Sequence, residues 1–92
     1  MDVTVNDHRV ESRYEARLGT ELVGIAEYEL SASSIVFPHT EVEPAHRGQG
    51  VAQTLARFAL DDARQRGLAV VPRCSFIQRF IQTHPEYADL VG

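Results

Sequence analysis

The segment Glu43-Pro44-Ala45-His46-Arg47-Gly48-Gln49-Gly50-Val51-Ala52 separates two differently patterned halves of the chain. It is polar and turn-rich, and its two glycines let the backbone approach another group without a Cβ in the way. Downstream, apolar residues recur at helical spacing. Ala52, Leu55, Ala56, Ala59, Leu60 and Ala63 form one stripe, with Val51 and Phe58 on its flank and Arg57, Asp61 and Arg64 on the far side. The pattern predicts a helix from Gly50 to Arg66, ended by Gly67. Most of the stripe is small, so this helix can lie close to a sheet. Leu68 to Val71 is a short apolar run that reads as a buried strand. A strand, a glycine loop, a helix and a second strand make a crossover, which pairs its two strands in parallel.

Upstream the period changes to two. Val3 and Val5 alternate with polar neighbours in a short first strand, and Arg9 to Leu18 reads as a second, with Val10, Ser12, Tyr14, Ala16 and Leu18 on one face. Gly19-Thr20 makes a turn. Glu21 to Leu30 alternates most clearly, with Leu22, Gly24, Ala26, Tyr28 and Leu30 on one side and Val23, Ile25, Glu27 and Glu29 on the other. Ile35 to Val42 forms a fourth strand, interrupted at Pro38, where the ladder loses a donor. After the crossover, Ser75 is placed to cap a second helix that carries Phe76, Ile77, Phe80 and Ile81. Pro85 suits the first position of a terminal helical turn. The fold class is therefore mixed α+β: antiparallel strands followed by β-α-β-α, in one domain spanning residues 1–92.

Composition narrows the function. Of 92 residues, 13 are acidic and nine are arginine, with no lysine, for a net charge of −4. Nucleic acid is not expected as a partner, because phosphate neutralisation needs clustered basic residues. A single cysteine, Cys74, excludes an internal disulfide and a multi-thiolate zinc site. His39 and His46 stand too far apart along a strand and loop to form a metal pair, so no metal is expected. The N-terminus lacks a basic region and an apolar stretch, and no run is long enough to span a membrane, which points to a cytoplasmic protein. The charged, mixed surface fits a monomer or weak dimer.

The glycine loop lies where a helix presents its unpaired first-turn amides and the positive end of its dipole. A diphosphate suits such a place, and Arg47 adds charge-assisted donors. Spacing alone also fits a tight strand-to-helix turn. A Walker A loop is absent, since no Gly-Lys-Ser/Thr occurs. A dinucleotide fingerprint is absent too, since Pro72-Arg73-Cys74 follows the second strand where an acid is required.

Arg47-x-x-Gly50-x-Ala52 resembles the Gln/Arg-x-x-Gly-x-Gly/Ala signature of the GNAT superfamily of acetyltransferases. Together with His39-Thr40-Glu41-Val42, Val70-Val71-Pro72-x-Cys74 and His84-Pro85-Glu86-Tyr87, it looks like the very short GNAT-like N-acetyltransferases of bacteria and eukaryotes. The resemblance is specific from the fourth strand onward and covers the earlier strands in outline. It implies an acetyl-CoA site with the pyrophosphate on Arg47, Gly48, Gln49, Gly50, Val51 and Ala52. It also implies pantetheine along a splay between the fourth and fifth strands, and the acetyl carbonyl at a backbone amide between Thr40 and Val42. The acceptor is an unidentified primary amine, on a protein lysine or a small molecule.

Acetyl transfer to an amine needs a base for the amine, donors for the carbonyl oxygen and a proton for the leaving thiolate. His39 and Cys74 match positions proposed as active-site residues in the short proteins. His39 suits a general base; its bland reading is a partly exposed strand residue. Cys74 suits a proton donor or acyl acceptor; its bland reading is a small apolar filler. Glu41 and Glu43 are alternative bases, or simply a solvated strand edge. His46 and His84 read as surface or turn residues. The space around Asn6-Asp7-His8 is too short for the helices that help build the acceptor site in larger GNAT enzymes. A CoA-binding module with little turnover, acting as a sensor or partner subunit, is therefore the alternative reading.

Overall fold

The computed structural model describes residues 2–92. Five strands form one sheet in sequential order: β1 (Thr4–His8), β2 (Arg13–Leu18), β3 (Glu21–Leu30), β4 (Ser34–Val42) and β5 (Ala69–Pro72). The first four are antiparallel, and β4 and β5 are parallel, joined by helix α1 (Val51–Gln65). Helix α2 (Ser75–Thr83) and a 3₁₀ segment (Pro85–Leu90) complete the chain. The expected α+β order stands.

Several local readings need correction. Arg9 to Leu18 is not one strand: Arg9–Glu11 is a 3₁₀ turn, and β2 begins at Arg13. The chain must reverse between β1 and β2. It does so with Ser12 in the left-handed region (φ 53°), its amide donating to Arg9 O at 3.1 Å. Val10 consequently stands 90% exposed at the tip. Val23, expected on the face away from Gly24 and Ala26, is fully buried. Ala16 pairs with Gly24 and Arg17 with Leu22, so Val23 is the extra residue of a bulge, which turns it inward. Finally, Cys74, not Ser75, is the residue before α2, and no side chain caps that helix. The Cys74 amide donates to Phe37 O at 2.8 Å, which keeps residue 74 extended and starts the helix after it.

Helix α1 packs across the sheet as its small stripe requires. A Cβ on Gly24 would come within 2.9 Å of Val51 Cγ1 and 3.2 Å of Glu41 O. Glycine thus sets the contact between β3 and the first turn of α1. Val51 is buried in this contact rather than on the flank, and Ala52 is turned partly outward. Gly67 (φ 68°) ends the helix: its amide donates to Arg64 O, and the Leu68 amide reaches back to Ala63 O at 2.9 Å, a Schellman arrangement. The core joins Tyr14, Phe37, Ile35, Leu55, Leu60, Ile77 and Val70, all fully buried. The α2 and C-terminal segments lie beside α1, where Tyr87 Oη donates to Asp61 at 2.7 Å and Arg64 holds Asp89 through two 2.9 Å bonds.

The opposite sheet face is polar. Register places Asn6, Glu15, Ile25 and Glu41 in one row and His8, Arg13, Glu27 and His39 in the next. Glu15 is only 5% exposed, yet fully partnered. It meets His8 Nδ1, Arg13 Nε and Arg17 Nη2, each at 2.9 Å. The hydrogen bond with His8, joined by those from Arg17 and Arg13, holds its carboxyl at about 2, against an ordinary 4.5.

Candidate active site

The site begins where two parallel strands stop pairing. Ser34 to Phe37 of β4 pair with Ala69 to Pro72 of β5, and the Cys74-to-Phe37 bond is the last link between them. At this point the β3–β4 register also shifts: Glu27 pairs with His39 and Glu29 with Val36, leaving Phe37 and Pro38 opposite Tyr28. The interruption expected at Pro38 is this bulge. Proline lacks the amide that a regular ladder would use here.

Beyond Pro38, β4 has a neighbour on one side only. The Glu43 amide donates to Val23 O at 2.9 Å, and strand alternation then turns the amides of Glu41 and His39 toward β3 as well. The amides of Thr40 and Val42 face the opening. Among the described residues neither finds an acceptor.

Helix α1 points its tip into the same space. Gly48 and Gly50 have φ of 80° and 83°, conformations that side-chain-bearing residues rarely adopt. A Cβ on either would meet nothing within 4 Å, so the requirement is conformational and the space in front of them is open. No side chain caps α1. The amides from Gly48 through Gln53 find no acceptor among the described residues, while Gly50 O is taken by the Thr54 amide at 3.0 Å and by its hydroxyl at 2.9 Å. Those outward amides, with the exposed and unpaired Arg47 guanidinium, form a donor-only surface suited to an anion.

An open cleft of about 350 Å³ joins these parts, lined by His39, Thr40, Glu41, Val42, Arg47, Ala52 and Phe76. Of the residues singled out from sequence, His39, Thr40, Glu41, Val42, Arg47 and Ala52 thus line one cavity. Gly48, Gln49, Gly50 and Val51 form the adjacent loop and helix tip, although the Val51 side chain belongs to the core. Cys74 lies across the splay, its Sγ 3.5 Å from Thr40 Oγ1. His39 and Cys74 do not meet. Alternation sends His39 with Glu41 to the opposite sheet face, Nε2 to Oε1 3.9 Å, both more than half exposed. Phe76 was read only as a helix-core residue. It forms the far wall of the cleft because α2 starts directly after the diverging end of β5. Its position two residues past Cys74 was the available signal.

His46 and His84, read as surface or turn residues, make local contacts. His46 bonds Gln49 at 3.1 Å and faces Glu21 at 3.4 Å, tying the loop to the start of β3. His84 stacks on Phe80 with ring centres 3.9 Å apart.

The profile of a family described as GCN5-related N-acetyl-transferase matches residues 13–90. The chain belongs to this family. Among similar proteins, mouse Protein NATD1 is 33% identical over 85 residues, covering 90% of this chain and 77% of that protein. Bovine Protein NATD1 is 41% identical over 59 residues, covering 63% and 52% respectively. The ribosomal-protein-S18-alanine N-acetyltransferase of Escherichia coli shares the fold, with a TM-score of 0.67 at 13% identity over 77% of this chain and 49% of that one. So does the ribosomal-protein-alanine N-acetyltransferase of Brucella melitensis, with a TM-score of 0.62 at 21% identity over 87% and 61%. The match therefore spans about half the length of the bovine relative and of the E. coli enzyme. Among the described residues, no helix of this GCN5-related chain is long and apolar enough to cross a membrane.

Proposed function

We propose that this chain, as a single domain, is an acetyl-CoA-dependent N-acetyltransferase acting on a primary amine. The observation that carries the reading is the meeting, in one cleft, of two sets of unpartnered amides: Thr40 and Val42 on the splayed edge of β4, and Gly48 to Gln53 at the tip of α1. An extended ligand ending in a diphosphate satisfies both, adding to the strand edge at one end and docking on the helix at the other. When bound, acetyl-CoA supplies an acetyl thioester, an electrophile that needs a positioned amine and a protonated leaving group.

The chain's own groups meet those needs. The Val42 and Thr40 amides orient the carbonyl and donate to its oxygen as charge develops there. Arg47 and the Gly48–Ala52 amides hold the diphosphate. Glu41 Oε1 or His39 Nε2 takes a proton from the incoming ammonium, on the sheet face opposite α1. Cys74 Sγ, beside Thr40 Oγ1, gives a proton to the departing thiolate.

A second reading, a CoA-binding module with little turnover, draws on the exposure of His39 and Glu41 and on their 3.9 Å separation, which is loose for a working pair. Calorimetry with CoA, followed by thiol release from acetyl-CoA with an amine library, separates the two. Binding with turnover supports the enzyme, and binding with no thiol release above background leaves the module. Absence of heat at millimolar CoA contradicts both.

A further inference from the structure

A second hollow lies on the sheet face opposite α1 and shares one residue with the cleft. It measures about 160 Å³ and is lined by Arg13, Leu22, Gly24, Ile25, Glu41 and Glu43. Glu41 also lines the larger cleft, so one residue borders both cavities. The floor is apolar, from Leu22 and Ile25. The walls carry opposite charges at opposite ends: Glu41 and Glu43 at the end of β4, and Arg13 two strands away on β2.

Arg13 is fixed in place. Its Nε and Nη2 both lie 2.9 Å from Glu15 Oε2, and Nη1 has no partner among the described residues. Glu15 does not cancel it, because the same carboxylate also serves Arg17 at 2.9 Å. Glu27 stands opposite Arg13 in the β2–β3 register without an ion pair to it among the described residues, so Nη1 keeps its hydrogens free to donate to an anion. An anion of the ligand is thereby drawn to Arg13, and a cation to Glu41 and Glu43. The volume is below the roughly 300–1,000 Å³ of drug-sized sites, which suits a short, slender occupant.

We infer that this hollow receives the acyl acceptor, and that the acceptor is a small ω-amino carboxylate: a primary ammonium and a carboxylate joined by a short apolar stem. The ammonium sits at Glu41, beside the acetyl group. The stem lies over Leu22 and Ile25, and the carboxylate meets Arg13 across the two-strand span of about 10 Å. The inference rests on the cleft being the acetyl-CoA site. It adds the direction in which the acceptor lies and the group that selects it.

The test compares ε-aminocaproate with n-hexylamine, cadaverine and a lysine peptide blocked at both ends, by thiol release from acetyl-CoA. The expected kcat/KM for ε-aminocaproate exceeds that for hexylamine by about tenfold or more, since a charge-assisted contact is gained. In Arg13→Gln that ratio falls toward one. In Arg13→Lys, which retains a charge beside Glu15, it is partly restored. A blocked peptide or cadaverine used better than ε-aminocaproate overturns the inference, as does a ratio unchanged in Arg13→Gln. A turnover-free readout keeps it independent of catalysis: ε-aminocaproate is titrated into CoA-saturated protein while the Ile25 and Leu22 methyl signals are followed by NMR. Saturable shifts absent with hexylamine support the pocket even if no amine is acetylated. Unmoved signals overturn it. Failure of CoA itself to bind removes the enzyme reading, and the same titration on the free protein still decides the hollow.

Discussion

The β1–β2 end of the sheet and the splayed end of β4 treat polar groups in opposite ways. At the first end the buried polar side chains are matched among the described residues. Glu15 has three partners, two of them guanidinium groups, Tyr14 Oη donates to Asp62 at 2.7 Å, and Tyr28 Oη donates to Asp7 at 2.7 Å. At the second end, among the described residues, the strand edge and the helix tip present amides with no acceptor, and Arg47 has no counter-ion. Buried donors are rarely left without a partner and open ones are served by water, so a strand edge and a helix tip that converge on one cleft offer donors that another molecule can take over.

The largest effect is expected from putting a carboxylate where the donors point. Gly50→Glu is predicted to weaken CoA binding at least about 100-fold by calorimetry, because like charges are brought together and the positive φ is lost to strain. Gly50→Ala, which carries the strain without the charge, should fall between it and the native protein.

Next comes the matched end. Glu15→Gln is predicted to destabilise the fold by about 1.5–3 kcal/mol in urea denaturation at neutral pH, as two guanidinium groups lose their shared carboxylate. The pH profile sharpens this. Glu15 titrates at about 2 when folded against 4.5 ordinarily, so its contribution is present above pH 4.5 and is lost as pH falls toward 2. The native protein should show that acid limb, and the Gln variant should show it reduced. CoA binding should change little, which separates the two regions.

Arg47→Gln is predicted to weaken CoA binding about three- to tenfold, the scale of one exposed charge-assisted contact, with a melting curve close to native. The smallest effect belongs to Tyr14→Phe, at about 1 kcal/mol of stability. Its partner Asp62 is 24% exposed and regains water when the hydroxyl goes.

The sequence carried much of this contrast. Helical spacing in Ala52–Ala63 and the glycines at 48 and 50 determined the crossover, and Pro38 marked an interruption of β4. These are local signals, because a missing donor or a missing Cβ acts at its own position. What escaped notice depends on pairing across the sheet. Val23 became a core residue through a bulge against Ala16 and Arg17, which no alternation within β3 reveals. Alternation within β2 already puts Arg13, Glu15 and Arg17 on one face, but His8 joins them only through the register of β1. Likewise, Cys74 took the position before α2 because its amide bonds Phe37, a contact between distant parts of the chain.

Amide hydrogen exchange with and without CoA tests the central claim most directly. In the free protein the Thr40 and Val42 amides should exchange fast while those of Glu41 and Glu43, bonded to β3, exchange slowly; CoA should then slow Thr40, Val42 and the Gly48–Gln53 amides and leave Glu41 and Glu43 unchanged. Thr40 and Val42 amides already slow without ligand, or unaffected at saturating CoA, would contradict the account.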